Sequence, residues 1–135
     1  MSASTAFAND LLIAVFKSQT FGPTYIALHT ADTGPAGNQT TSEATYGGYA
    51  RKLVAPASWD ASGADFENGG SIEFGEAMGG AGSILTHFTI GNAATGAGKV
   101  LLRGKLVNPV TVTVGQELRF KPGDLTGSVS TAEPA

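Results

Sequence analysis

Apolar and polar residues alternate along much of this chain, most regularly between Thr86 and Thr126. In Thr86–Ile90, Phe88 and Ile90 alternate with His87 and Thr89, the two-residue period of a strand with one buried face. Residues 91–98 (GNAATGAG) are turn formers. Lys99–Val107 is a second predicted strand, with Val100, Leu102 and Leu106 on one face and Arg103 and Lys105 on the other. Asn108-Pro109 should break it, because proline has no N–H for a ladder. Val110, Val112 and Val114 then alternate with Thr111 and Thr113, and Gly115-Gln116 turns the chain. Leu118 and Phe120 alternate with Arg119 and Lys121 before Pro122-Gly123-Asp124. The pattern predicts a four-strand antiparallel meander whose apolar face the rest of the chain must cover.

The three-to-four-residue period occurs once. Across Thr5–Ser18, Phe7, Leu11 and Val15 recur every four residues beside Leu12 and Phe16, which predicts a helix with one apolar stripe. Ser4 is placed to cap it by accepting from the amide of Ala6 or Phe7, and Lys17 suits its negative end. A partner-binding helix is one reading of the stripe. Packing on the sheet is the other, and it is preferred.

Thr24–Thr30 reads as a strand with Tyr25, Ala27 and His29 on one side and Ile26 and Leu28 on the other. Ala31–Thr45 has few large apolar residues and reads as a long surface loop. Asn38-Gln39-Thr40 has the form of a glycosylation sequon, which is discounted because nothing points to a eukaryotic secretory route. Tyr46–Arg51 leads into a strand through Val54, and Ser58-Trp59 begins a short edge strand. Asn68-Gly69-Gly70 is a hairpin signal, Ser71–Phe74 a short strand, and Gly75–Ser83 a flexible, small-residue segment. Leu125 and Val129 suggest a last strand before a frayed end at Ser130–Ala135. About eight or nine short strands and one helix predict a mainly β chain: a single antiparallel β-sandwich or jelly-roll-like domain, residues 1–135, with an N-terminal helix.

Composition narrows the function more than the fold. Charged residues are 14% of the chain, well under the quarter usual in soluble domains, so Thr, Ser, Gly and Ala make much of the surface. That suits a protein packed against neighbours or displayed on a particle. The net charge of −3 argues against general nucleic-acid binding, and the basic cluster in Lys99–Lys121 reads as a solvated strand face. The chain has no cysteine, so disulfides, thiolate metal sites and cysteine catalysis are excluded. Met1–Thr5 lacks the basic start of a signal peptide, and Leu11–Phe16 is too short to span a bilayer. Synthesis and folding in a cytoplasm, with no membrane insertion, is the expectation.

Catalytic patterns are missing. His29 and His87 sit on predicted strands; a pair with Asp32 or Asp124, which end neighbouring elements, is one reading, and a satisfied or interface histidine is the preferred one. Gly98-Lys99 fails as a phosphate loop, because Ala93 stands where a glycine is needed and Val100 where Ser or Thr is needed. Asp60 with Asp65, or Glu73 with Glu76, has the composition of a glycosidase pair but reads as solvated carboxylates. No enzyme activity, cofactor or metal is expected.

The ordered motifs resemble a family of small tailed-phage virion proteins known as tail fibre proteins. Its strand T-H-F-x-I is matched by Thr86, His87, Phe88 and Ile90, and its A-A-T-G by Ala93–Gly96. Leu101, Gly104, Leu106 and Pro109 follow, then Gly115, Leu118 and Phe120, then Gly123-Asp124-Leu125-Thr126. Upstream, Leu28–Asp32 resembles its L-x-T-A-D segment and Gly47–Arg51 its G-G-Y-A-R motif, with Trp59 following. The resemblance implies a virion structural protein, tail fibre-associated or another tail accessory module, contacting other virion proteins and forming a homo-oligomer, in this setting often a trimer. Phe7, Leu11, Val15, Tyr46, Tyr49 and Trp59 are the candidate subunit or partner contacts. Two alternatives stand beside it. One is capsid decoration, a cement protein on the major capsid protein at the head surface. The other is a carbohydrate-binding module that stacks a host-surface glycan on Tyr46, Tyr49 and Trp59 and bonds it through Asn38 and Gln39.

Overall fold

The computed structural model describes residues 4–14, 23–79 and 83–128. The fold is mainly β, with several antiparallel strand pairs and, among the described residues, one α-helix. The helix is α1 (Thr5–Leu12). The strands are β1 (Thr24–His29), β2 (Lys52–Val54), β3 (Trp59–Ser62), β4 (Asp65–Asn68), β5 (Ile72–Glu76), β6 (Ser83–Gly91), β7 (Val100–Val112), β8 (Glu117–Phe120) and β9 (Thr126–Ser128). They form sheets in the orders β2-β1-β6-β7, β3-β4-β9 and β5-β8. The chain gathers into two compact units, neither a continuous stretch: Met1–Pro23, Val54–Ile72 and Phe120–Ala135 in one, Thr24–Leu53 and Glu73–Arg119 in the other.

In the first unit α1 packs against β3 and β4. Ser4 caps it as expected, its hydroxyl accepting from the Phe7 amide at 3.2 Å. The buried helix face meets the predicted stripe only at Leu12. Ala8 and Leu12 are buried, whereas Phe7 is 56% and Leu11 38% exposed. Ala8 and Leu12 lie four residues apart and so share one helix face, which leaves Phe7 and Leu11 on its flanks. The predicted continuation through Val15 to Ser18 lies outside the described residues. Under the helix, Trp59 is fully buried edge-on to Phe66, with ring centroids 5.7 Å apart. Phe66 also covers Gly127, its cross-strand partner, leaving no room there for a Cβ.

Asn68 ties this unit together. It is 1% exposed, donates from Nδ2 to the Gly70 carbonyl (2.7 Å) and the Lys121 carbonyl (2.9 Å), and accepts at Oδ1 from the Leu125 amide (2.9 Å). The segment expected to be a hairpin turn, Asn68-Gly69-Gly70, therefore joins strands of two different sheets. Asn68 is consumed in holding that corner.

In the second unit β1 and β6 form the centre of a four-stranded sheet, paired from Tyr25↔Gly91 to His29↔His87. Ile26, Ala27, Leu28, Leu85 and Ile90 are buried there. The expected four-strand meander differs in two ways. Lys99–Val107 and Val110–Val114 are not separate strands. One strand, β7, runs through Asn108 and Pro109, because β7 lies at the sheet edge, where a missing N–H costs no ladder bond. The extra residues swell into a bulge: Leu85 pairs Val110 and His87 pairs Lys105, so residues 106–109 face Thr86 alone. The last strand, β8, leaves the meander and pairs with β5. The Gly115-Gln116 turn is held by Ala77, whose amide donates to the Gln116 carbonyl and whose carbonyl accepts from the Gly115 amide, both at 2.8 Å.

Candidate functional site

Residues 31–45, read as a long surface loop, hold no strand and are exposed at many positions, and they are bound along the sheet and against the turn at residues 91–98. The Thr30 amide donates to the Ser42 carbonyl (2.9 Å) and the Ala44 amide to the Leu28 carbonyl (2.8 Å), so the end of the loop runs beside β1. Gln39 then plugs the turn. Its amide N–H donates to the Ala97 carbonyl (2.8 Å), and its Oε1 accepts from the Ala93 amide (3.0 Å). Gly91 and Gly98 leave the space for its side chain: a Cβ at either would run into it.

Arg51 locks the same two segments. Its side chain is 3% exposed. Nε donates to Glu43 Oε2 at 2.7 Å and Nη2 to Glu43 Oε1 at 2.9 Å, a two-point ion pair with the loop. The remaining donors reach the turn, Nη1 to the Ala93 carbonyl (3.0 Å) and Nη2 to the Gly96 carbonyl (2.7 Å). The bond to Glu43 holds the guanidinium still more firmly in its charged form. Tyr49 completes the network: its hydroxyl donates to Glu43 Oε2 (2.7 Å) and accepts from the Leu28 amide (3.1 Å). Burial first, then the bond to Glu43, raise the phenol pKa. Tyr49 stacks on Phe74 at 6.3 Å and meets the Tyr46 ring edge-on at 5.4 Å.

His29 anchors the loop beneath. It is fully buried, donates from Nδ1 to the Thr41 carbonyl (2.9 Å) and accepts at Nε2 from the Thr89 hydroxyl (2.8 Å). Burial lowers its pKa, so the ring is a neutral structural group.

The outcome is a rim held in a fixed arrangement. Thr40 and residues 94–97 are exposed along it, and Asn38 is half-buried. Asn38 Oδ1 is used within the loop, accepting from the Thr40 amide (2.9 Å) and hydroxyl (2.5 Å). The rim carries amides and hydroxyls with no charge.

Several expected site residues sit elsewhere. Gln39 is 0% exposed, so it supports the rim from inside rather than meeting a receptor. Tyr46 and Trp59 are buried within the chain, and Tyr49 is half-buried under the loop, so none presents a ring face for a sugar. Phe7 and Leu11 are exposed; Val15 lies outside the described residues. The Glu43–Arg51 pair escaped the sequence reading, although an arginine ending a Gly-Gly-Tyr-Ala run after a nearly uncharged loop was the available signal.

The carboxylate pairs remain surface groups. Asp60, Ser62, Asp65, Glu67, Thr126 and Ser128 line the exposed face of β3-β4-β9, an open cleft of about 710 Å3. Glu73 makes a long contact of 3.7 Å with Arg119, both half in water, and Glu76 is exposed. Among the described residues no three His, Asp or Glu side chains converge as a metal site, and no helix is long and apolar enough to cross a membrane.

The family model described as Podophage GP4 fiber I protein gp80 matches residues 2–128. No curated protein matches the chain.

Proposed function

The chain belongs to the podophage GP4 fiber I protein gp80 family, and from that premise we propose that it is a non-enzymatic, tail fibre-associated structural protein whose pinned loop rim meets the host surface. Family membership makes it a phage fibre protein of the virion, in association with other virion proteins. The finer reading rests on the Arg51 network. A buried guanidinium with four bonds to two segments makes a rigid support, and contact residues on loops act best when a scaffold fixes them. The uncharged amides and hydroxyls above it suit a hydroxyl-rich ligand such as a surface glycan. Self-association belongs to the same reading, with exposed Phe7 and Leu11 as apolar contacts for another subunit or virion protein.

The experiment is adsorption of phage carrying Thr40→Lys with Thr95→Lys. Both positions are exposed, so the protein should still be built into particles. The expected result is normal incorporation and slowed adsorption. Normal incorporation with unchanged adsorption would remove the rim from host contact.

A further inference from the structure

The bulge in β7 creates a feature that the sheet does not use. Val107 sits on it 97% exposed, the most exposed large hydrophobic residue among those described. Lys105, at the start of the bulge, is exposed and forms no ion pair with another described residue. Pro109 and Val110, at its end, line a groove of about 380 Å3 together with Tyr46, Val112 and Leu118. Glu117 also lines that groove, exposed and without an ion pair among the described residues. Thr111 and Gln116 line it as well, so the groove is mixed in character. An apolar knob beside an unpaired cation thus neighbours a part-apolar groove beside an unpaired anion.

We propose that this face binds a second copy of the same chain, the Val107 bulge of one copy entering the groove of the next and Lys105 meeting Glu117. The inference rests on the self-associating structural role proposed above and assigns it a surface. The occupant follows from chemistry: Pro109, Val110 and Leu118 give the groove an apolar part for a valine, and the two free charges beside knob and groove are opposite. Direct pairing of two β7 edges is disfavoured, because the bulge and Pro109 interrupt the row of backbone donors and acceptors. The contact is therefore made by side chains, and the symmetry of the pairing decides whether the assembly closes.

Sedimentation velocity of the full chain tests this, with wild type, Val107→Asp, Lys105→Glu, Glu117→Lys and the double charge reversal. Val107 is almost wholly in water, so Val107→Asp should keep the wild-type circular dichroism spectrum. The expected result is an oligomer for wild type and a dissociation constant at least ~10-fold higher for Val107→Asp. Each charge reversal should weaken association, and the two together should restore it. An oligomer indifferent to Val107→Asp, or a double reversal no better than its singles, would overturn this surface while leaving self-association intact. A monomeric wild type at high concentration would overturn both.

Discussion

Arg51 and Glu43 meet through two parallel hydrogen bonds, 2.7 and 2.9 Å long, beneath a loop that the chain otherwise leaves almost uncharged. Breaking a buried ion pair on one side strands the other charge. Arg51→Ala should therefore destabilise the protein by about 3–5 kcal/mol. Arg51→Lys should recover only part of this, since an ammonium cannot span Glu43, Ala93 and Gly96 in one plane. Urea unfolding midpoints of the two variants check both statements.

Gly91 has an ordinary φ, so Gly91→Ala tests space alone. The new methyl would occupy the slot filled by Gln39. A loss of roughly 1–3 kcal/mol is expected. Hydrogen exchange should also quicken at the Gln39 and Ala93 amides, which depend on the plug. Unchanged protection there would mean the loop is held without it.

His29 gives the fold a pH dependence of definite sign. Its folded pKa lies below the ordinary 6.5 because burial disfavours the cation. The unfolded chain then binds more protons between the two values. The His29 contribution is whole above about pH 6.5 and is lost as pH falls towards the folded pKa. Thermal unfolding of wild type should show this falling limb on acidification, and His29→Gln should be less stable at pH 8 and lack that part of the slope.

Asn68→Ala would leave the Leu125 amide and the Lys121 and Gly70 carbonyls without their partner in a buried corner. A cost of about 2–3 kcal/mol is expected by chemical denaturation. Asn68→Asp should fail as well, because a carboxylate cannot donate to the two carbonyls.

The alternation of Phe88 and Ile90 with His87 and Thr89 made β6 legible, and Ser4 before an apolar stripe made the start of α1 legible. Both are local signals. What escaped depends on partners distant in sequence. Asn108-Pro109 breaks a strand by local rules, yet β7 continues because the edge position makes the missing N–H harmless. β4 went unread because its alternation, Phe66 and Asn68 inward with Asp65 and Glu67 outward, uses an asparagine as a core residue. Gln39 looked like a surface amide because nothing nearby in sequence announces the glycines at positions 91 and 98 that receive it. The tail fibre resemblance carried what composition could not, since low charge and no cysteine fit many displayed proteins equally well.

The most direct measurement is gold-labelled antibody against this protein on intact parent phage. A tail fibre-associated structural protein predicts label at the tail and its appendages, with the head bare. Label spread over the head would contradict the tail assignment and make the protein a decoration of the shell, and the absence of label from every particle would contradict display on the virion surface.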